Sequence, residues 1–438
     1  MDHFRYQDGQ LYCEDVNVDE LAAQIGTPFY LYSKATFEDH YDRFFNAFRE
    51  LNPLVCYSIK NCGNIHVIDL LVSRGAGIDV VTGGELYRAL KGGADASKVV
   101  FAGVGKSSSE IRQALEVGVG WLNVESEEEC DSIRAIAADV GCTARVALRV
   151  NPDVYDAKTH KECATGKADS KFGVDIGRAV QFFETYGNDP HLDLKGIHIH
   201  LGSPIHTSAP YVEAITKVLN LVEELAAAGH RIEMLDIGGG YAAHYDGREE
   251  ARTWDHYASD IVPLLRGFVE QGGQFVIEPG RAISANAGVL ISRVQYVKVG
   301  VNKRFAILDT GMGHLIRPVL YGAYHFIWPT SVSAEYVPKN RSLDPGVHGL
   351  ETYDVVGPIC EPSDYLARDR ALPPVHRGDL LCVFTAGAYG MTMASQYNAI
   401  PRPKEVLVES RSAKVIRRGE SYDDLIEPEL EAHEIDLP

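Results

Sequence analysis

Residues 195–240 read KGIHIHLGSPIHTSAPYVEAITKVLNLVEELAAAGHRIEMLDIGGG. Two strand-like runs, Lys195–Gly202 and Glu233–Gly240, flank a helical pattern. Between them Tyr211, Ile215, Val218, Leu219, Val222 and Leu225 recur at the three-to-four spacing of one helix face. Glu213, Lys217, Asn220 and Glu224 fall away from that stripe, and Gly229 ends the helix, predicted over Tyr211–Ala228. A strand, a crossover helix and a second strand form one unit of a parallel sheet.

The same unit repeats outward in both directions. Val55–Lys60, Gly77–Val81, Val99–Gly103, Trp121–Ser126, Arg145–Asn151 and Gln274–Gly280 complete a set of eight predicted strands, with seven helical segments between them. Eight alternations in about 250 residues match a (β/α)8 TIM barrel, placed here over residues 35–285. A doubly wound open sheet is the main competitor, but its glycine fingerprint should follow the first strand. That strand ends instead in Tyr57-Ser58-Ile59-Lys60. Beyond residue 286 short alternating runs, Gly288–Val297, Arg304–Asp309, Tyr353–Val356 and Leu380–Thr385, lack long helices between them. They predict a C-terminal β-rich domain, sandwich- or barrel-like, over 286–438. Two runs in residues 1–34, Leu11–Cys13 and Phe29–Tyr32, are expected to pair with it. Tyr324–Gly349 reads as a long connection, and the acidic tail Asp423–Pro438 as exposed. The fold class is therefore α/β with an added β-rich domain.

Composition narrows the function. Lysine plus arginine is 42 against 61 aspartate plus glutamate, a formal charge of −19. A net acidic chain is a poor nucleic-acid binder, so no nucleic-acid partner is expected. No apolar run approaches the roughly 20 residues of a membrane span, and the N-terminus lacks a signal-peptide pattern. None of the eight cysteines, Cys13, Cys56, Cys62, Cys130, Cys142, Cys163, Cys360 and Cys382, has C-x-x-C or zinc spacing. The expectation is a cytoplasmic protein with no metal site, no membrane partner and no disulfide framework.

In a barrel the chemistry collects at the C-terminal strand ends. There the sequence places Lys60, Asp79, Arg149 before Asn151-Pro152, His200-Leu201-Gly202-Ser203, Gly238-Gly239-Gly240 and Glu278-Pro279-Gly280-Arg281. Lys60 is either a snorkelling surface lysine or a Schiff-base amine. The glycines could simply make a tight turn, but glycine loops also present backbone N–H groups to phosphate, and Arg281 adds a guanidinium. An amine opposite a phosphate cradle in one barrel mouth fits pyridoxal 5′-phosphate (PLP) at both ends. Glu278 is then placed to face the pyridine nitrogen and His200 to lie flat against the ring. Without that context His200 reads as a hydrogen-bonded core histidine.

Tyr57-Ser58-Ile59-Lys60, His198-Ile199-His200-Leu201-Gly202-Ser203, Asp236-Ile237-Gly238-Gly239-Gly240 and Glu278-Pro279-Gly280-Arg281, with Lys171-Phe172-Gly173 after Thr165-Gly166, Leu315-Ile316-Arg317-Pro318, Leu320-Tyr321, Gly357-Pro358-Ile359-Cys360-Glu361 and Ala386-Gly387-Ala388-Tyr389-Gly390, resemble the alanine-racemase-type (fold type III) PLP decarboxylases. Within that group the chain resembles the diaminopimelate decarboxylase family, motif by motif from residue 55 to 398. The resemblance implies that Lys60 holds PLP as a Schiff base, with Asp79 and Arg149 tuning that end. Ser203, Gly238, Gly239, Gly240, Pro279, Gly280, Arg281 and Tyr389 would seat the phosphate. Arg281, Arg317 and Tyr321, with Tyr389 beside them, would hold the substrate's distal carboxylate, and Glu361 its distal amine. Cys360 would donate the proton, and His200 would support the catalytic face.

The implied reaction is decarboxylation of meso-2,6-diaminopimelate to L-lysine and CO2, the last step of lysine biosynthesis, in a homodimer with shared active sites. Pro204, Asn61-Cys62, Gly313-His314 and Pro362 depart from the family pattern without removing a catalytic group. Open alternatives are decarboxylation of another basic amino acid (ornithine or lysine) or of a carboxylated polyamine such as carboxynorspermidine, and a non-catalytic regulator on the same fold. A racemase would need a second base and a smaller pocket.

Overall fold

The computed structural model describes residues 2–156, 170–245, 253–432 and 435. Cys163 and Thr165-Gly166 lie outside the described residues. The chain divides into two compact units, one of Met1–Phe37, His244–Glu250 and Ser284–Pro438, the other of Glu38–Ala243 and Ala251–Ile283.

The second unit is the barrel. Its strands are Leu54–Ser58, Gly77–Val80, Val99–Phe101, Trp121–Val124, Ala144–Asn151, Leu192–His198, Met234–Asp236 and Gln274–Ile277. All pair in parallel with their neighbours, and the eighth closes on the first through Val276 opposite Leu54. Among the described residues, seven α-helices fill the gaps between consecutive strands, the longest being Ala209–Ala227. Their ends follow local chemistry. Ser107 and Glu110 form a reciprocal capping box, and Gly118 and Gly141 close their helices in the left-handed conformation. Cys56, Val100, Trp121, Ala147, Met234 and Val276, from six different strands, pack into one buried cluster. Filling the barrel with side chains makes it a core rather than a pore, and so leaves the chemistry to its mouth.

Most of the strands stop one to four residues before their expected ends. Lys60, His200, Ser203, Gly238–Gly240 and Glu278–Gly280 therefore lie in the loops that follow strands, and Arg281 opens a one-turn helix, Arg281–Ser284. Strand pairing gives way where these loops begin to turn, which frees their backbone for other bonds.

The first unit is built on a mixed sheet. Its order is Tyr365–Leu372, Glu351–Val356, Arg304–Leu308, Gly288–Val299, Phe29–Ser33, Lys404–Glu409 and Ser412–Arg417, with Leu380–Val383 also on Gly288–Val299. Phe29–Ser33 is buried throughout and sits centrally, antiparallel to Gly288–Val299 and parallel to Lys404–Glu409. The N-terminal run thus joins the later β-structure as expected. Leu11–Cys13 does so only marginally: its strand pairs with Phe4–Gln7 and Val16–Asn17 in a separate sheet. The expected connection at 324–349 contains a strand, Ile327–Pro329, on Leu380–Val383. Its buried Ile327 and Trp328 outweigh the polar composition around them. The acidic tail likewise starts a short helix, Tyr422–Ile426, because Ser421 and Asp424 cap it.

Candidate active site

In the barrel unit the first two strands place Ser58 opposite Asp79 in register. Asp79 Oδ2 accepts from Ser58 Oγ at 2.5 Å and from Lys60 Nζ at 2.7 Å. The Asp79 side chain is wholly buried whereas Lys60 is one-third exposed, so the amine end reaches out from a fixed carboxylate. Burial and the charge of Glu278 push the Asp79 carboxyl up, against the pull of Lys60.

Arg149 is engaged elsewhere. Its Nη1 donates to both Glu125 oxygens, at 3.2 and 3.1 Å, and its guanidinium lies 4.8 Å from the Phe172 ring centre. Glu125 also accepts from the Gly103 and Gly173 N–H groups, each at 3.1 Å. This buried pair locks the Lys171-Phe172-Gly173 motif to the fourth and fifth strands.

His200 Nδ1 accepts from the Gly239 N–H at 3.2 Å, which puts the ring proton on Nε2. Burial, then the charges of Arg149 and Lys60, push this ring well below the usual histidine range, so it is neutral. A Cβ on Gly239 would come within 2.2 Å of the Glu278 carbonyl oxygen. Gly240 has φ +107°, a conformation that side chains rarely adopt. Beside this glycine turn, Arg281 Nε donates to Ser203 Oγ at 3.2 Å.

Sequence reasoning singled out Glu278 but missed the two side chains grouped with it beneath these loops. His198, Asp236 and Glu278 bring one ring nitrogen and two carboxylate oxygens within 4.8 Å of one another, all buried. Glu278 Oε1 and Asp236 Oδ2 have no hydrogen-bond partner among the described residues. Burial pushes Glu278 up, but the His198 ring, 3.6 Å away, together with Lys60 and His200, holds the carboxyl well below the usual range. Asp236 goes the opposite way, pushed well up by burial and by Glu278. A buried, ionised carboxylate oxygen with no partner suits the N–H of a protonated pyridine. The barrel residues thus fit PLP at its ring, amine and phosphate ends.

The remaining expected residues lie in the β-rich unit. Arg317, 6% exposed, opens the short helix Arg317–Tyr321, which also carries half-buried Tyr321. Its Nη1 donates to His325 Nε2 at 2.9 Å, and its guanidinium lies 4.8 Å from the Tyr245 ring centre. No carboxylate pairs with it among the described residues. Cys360 and Glu361 are exposed, yet both are braced. The Cys360 N–H donates to Asn398 Oδ1 at 3.2 Å. Tyr397 OH donates to Glu361 Oε1 and Ser363 Oγ to Oε2, and these bonds hold the Glu361 carboxyl below its usual range. Tyr389 has φ +56°, a strained conformation for a tyrosine. Two braces, Tyr397 and Asn398, follow Cys360 by more than thirty residues, so no local motif announces them.

The family described as "Pyridoxal-dependent decarboxylase, pyridoxal binding domain" matches residues 34–285. Diaminopimelate decarboxylase of Aquifex aeolicus is 43% identical over 430 residues, 98% of each chain. That of Vibrio cholerae is 42% identical, covering 97% of this chain and 98% of the relative. The crystal structure of the Helicobacter pylori enzyme complexed with L-lysine superposes with a TM-score of 0.87 at 38% identity, over 95% of this chain and 100% of that one. Matched along nearly its whole length by these relatives, the chain belongs to the diaminopimelate decarboxylase family of pyridoxal-dependent decarboxylases.

Proposed function

We propose that the protein decarboxylates meso-2,6-diaminopimelate to L-lysine and CO2, the last step of lysine biosynthesis, with PLP in the barrel mouth. The observation that carries the choice of substrate is Arg317, a buried guanidinium with no carboxylate partner among the described residues. A buried charge of that kind is costly unless a ligand pairs with it. Substrates that end in an amine alone offer it nothing. Glu361, held ionised by Tyr397 and Ser363, suits the ammonium that stands beside the distal carboxylate.

When bound, PLP supplies the electron sink for the pair left behind by departing CO2. Lys60 holds it covalently, and Asp79 keeps the lysine amine in place. Glu278 accepts from the pyridine N–H and thereby keeps that nitrogen protonated. Neutral His200 offers an uncharged face to the ring. Ser203, Gly238–Gly240, Pro279, Gly280, Arg281 and Tyr389 seat the phosphate, and Arg281, Arg317, Tyr321 and Tyr389 orient the substrate. Arg149, bound to Glu125, shapes the loop at this end. Cys360 delivers the proton that replaces the carboxylate at the reacting carbon.

In this reading residues 35–285 carry the cofactor, and residues 1–34 with 286–438 complete the site. The enzyme works as a homodimer in the cytoplasm, each site drawing Cys360 and Glu361 from the partner. The exposure of these two residues in the single chain supports a shared site. The seven cysteines among the described residues are free thiols. No helix among the described residues is long and apolar enough to cross a membrane.

The test is CO2 release from meso-diaminopimelate, L-lysine, L-ornithine and carboxynorspermidine side by side, with L-lysine measured as product. A clear preference for meso-diaminopimelate is expected. Preference for ornithine, lysine or the polyamine would reassign the substrate, and inactivity on all four with PLP bound would favour a regulator.

A further inference from the structure

We propose that His325 is a positioning residue for the distal-carboxylate subsite, fixing Arg317 through a neutral ring that leaves the guanidinium's charge available. The inference rests on the reading that Arg317 takes the substrate's distal carboxylate.

The bonding leaves one assignment for the ring. Arginine only donates, so the 2.9 Å contact from Arg317 Nη1 makes His325 Nε2 an acceptor. A backbone carbonyl only accepts, so the 3.0 Å contact to Phe384 O makes His325 Nδ1 the donor. Both bonds require the same neutral Nδ1–H tautomer. The ring is fully buried, and its backbone oxygen accepts from Arg370 Nη1 at 2.5 Å. Tyr245 completes the frame. Its ring centre is 4.8 Å from the Arg317 guanidinium and 5.5 Å from the His325 ring, met edge-on at 89°.

The chemistry explains why a histidine serves here. A carboxylate partner would orient Arg317 equally well but would neutralise it, leaving little attraction for a substrate carboxylate. A neutral acceptor occupies one N–H and restricts the fork, while the positive charge stays unpaired. Arg317 lies in a five-residue helix that offers little rigidity of its own, so its direction depends on this outside support. A pre-aimed guanidinium binds a carboxylate without first losing rotamer freedom.

Two substitutions separate the ring's roles. An asparagine amide lies where Nδ1 does, and can keep the bond to Phe384 O while losing the acceptor for Arg317. A glutamine amide reaches the Nε2 position and can restore that acceptor. The holoenzymes of wild type, Arg317→Ala, His325→Asn and His325→Gln are compared with meso-diaminopimelate as substrate. L-Lysine, which keeps the carboxylate, and cadaverine, which lacks it, serve as competitive inhibitors.

Arg317→Ala should weaken L-lysine by roughly ten- to a hundredfold with little effect on cadaverine. His325→Asn should raise KM and the L-lysine inhibition constant by about tenfold, leave kcat and cadaverine within about twofold, and be largely rescued by His325→Gln. If His325→Asn matches wild type, or weakens both inhibitors alike, the positioning role is wrong although the Arg317 reading stands. If Arg317→Ala fails to separate the two inhibitors, the subsite reading itself fails, and the inference with it. Nitrogen shifts of isotope-labelled His325 in the wild-type protein give a check that needs no variant. Protonation on Nδ1 alone is expected, and protonation on Nε2 would overturn the proposal.

Discussion

Asp236, at the end of one barrel strand, and Glu278, just past the end of the next, share one buried site, yet they titrate in opposite directions: Asp236 is pushed well up and Glu278 is held well down. One carboxyl therefore keeps its proton while the other is ionised, the arrangement expected when two acids share a dry site beside a single histidine. Substitution should expose the asymmetry. Asp236→Asn replaces a protonated acid by a neutral isostere and should change PLP affinity by no more than about threefold. Glu278→Gln removes the charge that faces the cofactor and should weaken PLP by at least about tenfold, the scale of one charge-assisted bond. Titrating PLP into the apoproteins and reading visible absorbance checks both. Equal losses would mean that the assignment of charge is wrong.

The same pair predicts a pH effect on stability. A carboxyl whose folded value lies above its unfolded one contributes stability that is full below the unfolded value and is lost as pH rises. Asp236 is such a group, with an unfolded value of about 3.9. Between about pH 4 and pH 7 its cost to the folded state should grow, and Asp236→Asn should escape it. The variant's denaturation midpoint should therefore gain on wild type across that range in apoprotein. A constant difference between the two would show that Asp236 is ionised in the fold.

Gly239→Ala tests the cradle. The added methyl would meet the Glu278 carbonyl at 2.2 Å, a contact that backbone cannot yield easily. Overpacking of this kind costs typically ~1–3 kcal/mol, and here the shift falls on the loops assigned to the phosphate. The fold should survive with a lowered melting temperature, while PLP retention on dialysis falls sharply. Unaltered retention would remove this turn from the cofactor site.

The parts of the site that were legible in the sequence are those where one strand end carries its own chemistry. Lys60, Gly238–Gly240 and Glu278–Arg281 each follow an apolar run that pairs as expected. The alternation of strand and helix made the barrel legible for the same reason. What stayed hidden depends on contact between distant segments. Asp236 matters because it stands beside His198 in register and near Glu278, a relation set only when three successive strands pair. His314, a departure from the family pattern, is a buried tie joining Thr310 to the Pro401 carbonyl rather than a site residue. Ile327-Trp328 was hidden by its Pro- and Ser-rich surroundings, which mimic a loop until a partner strand supplies the missing hydrogen bonds.

Complementation tests the shared site. Lys60→Ala and Cys360→Ala chains are each expected to be inactive. Mixed and allowed to exchange at random, half of the dimers carry one chain of each kind, and one of their two sites has both residues, so about a quarter of all sites should recover. Exchange proven by differential labelling with no return of activity would place Lys60 and Cys360 from one chain in the same site.

The most direct measurement of the account as a whole is the identity of the cofactor-bearing residue. The purified protein is incubated with PLP, reduced with borohydride, digested and mapped by mass spectrometry. The account predicts a pyridoxyl group on Lys60, and its absence, together with the visible band, from folded Lys60→Ala. Stable labelling of another lysine in wild type, such as Lys106 or Lys171, or a reducible link that persists without Lys60, would contradict it.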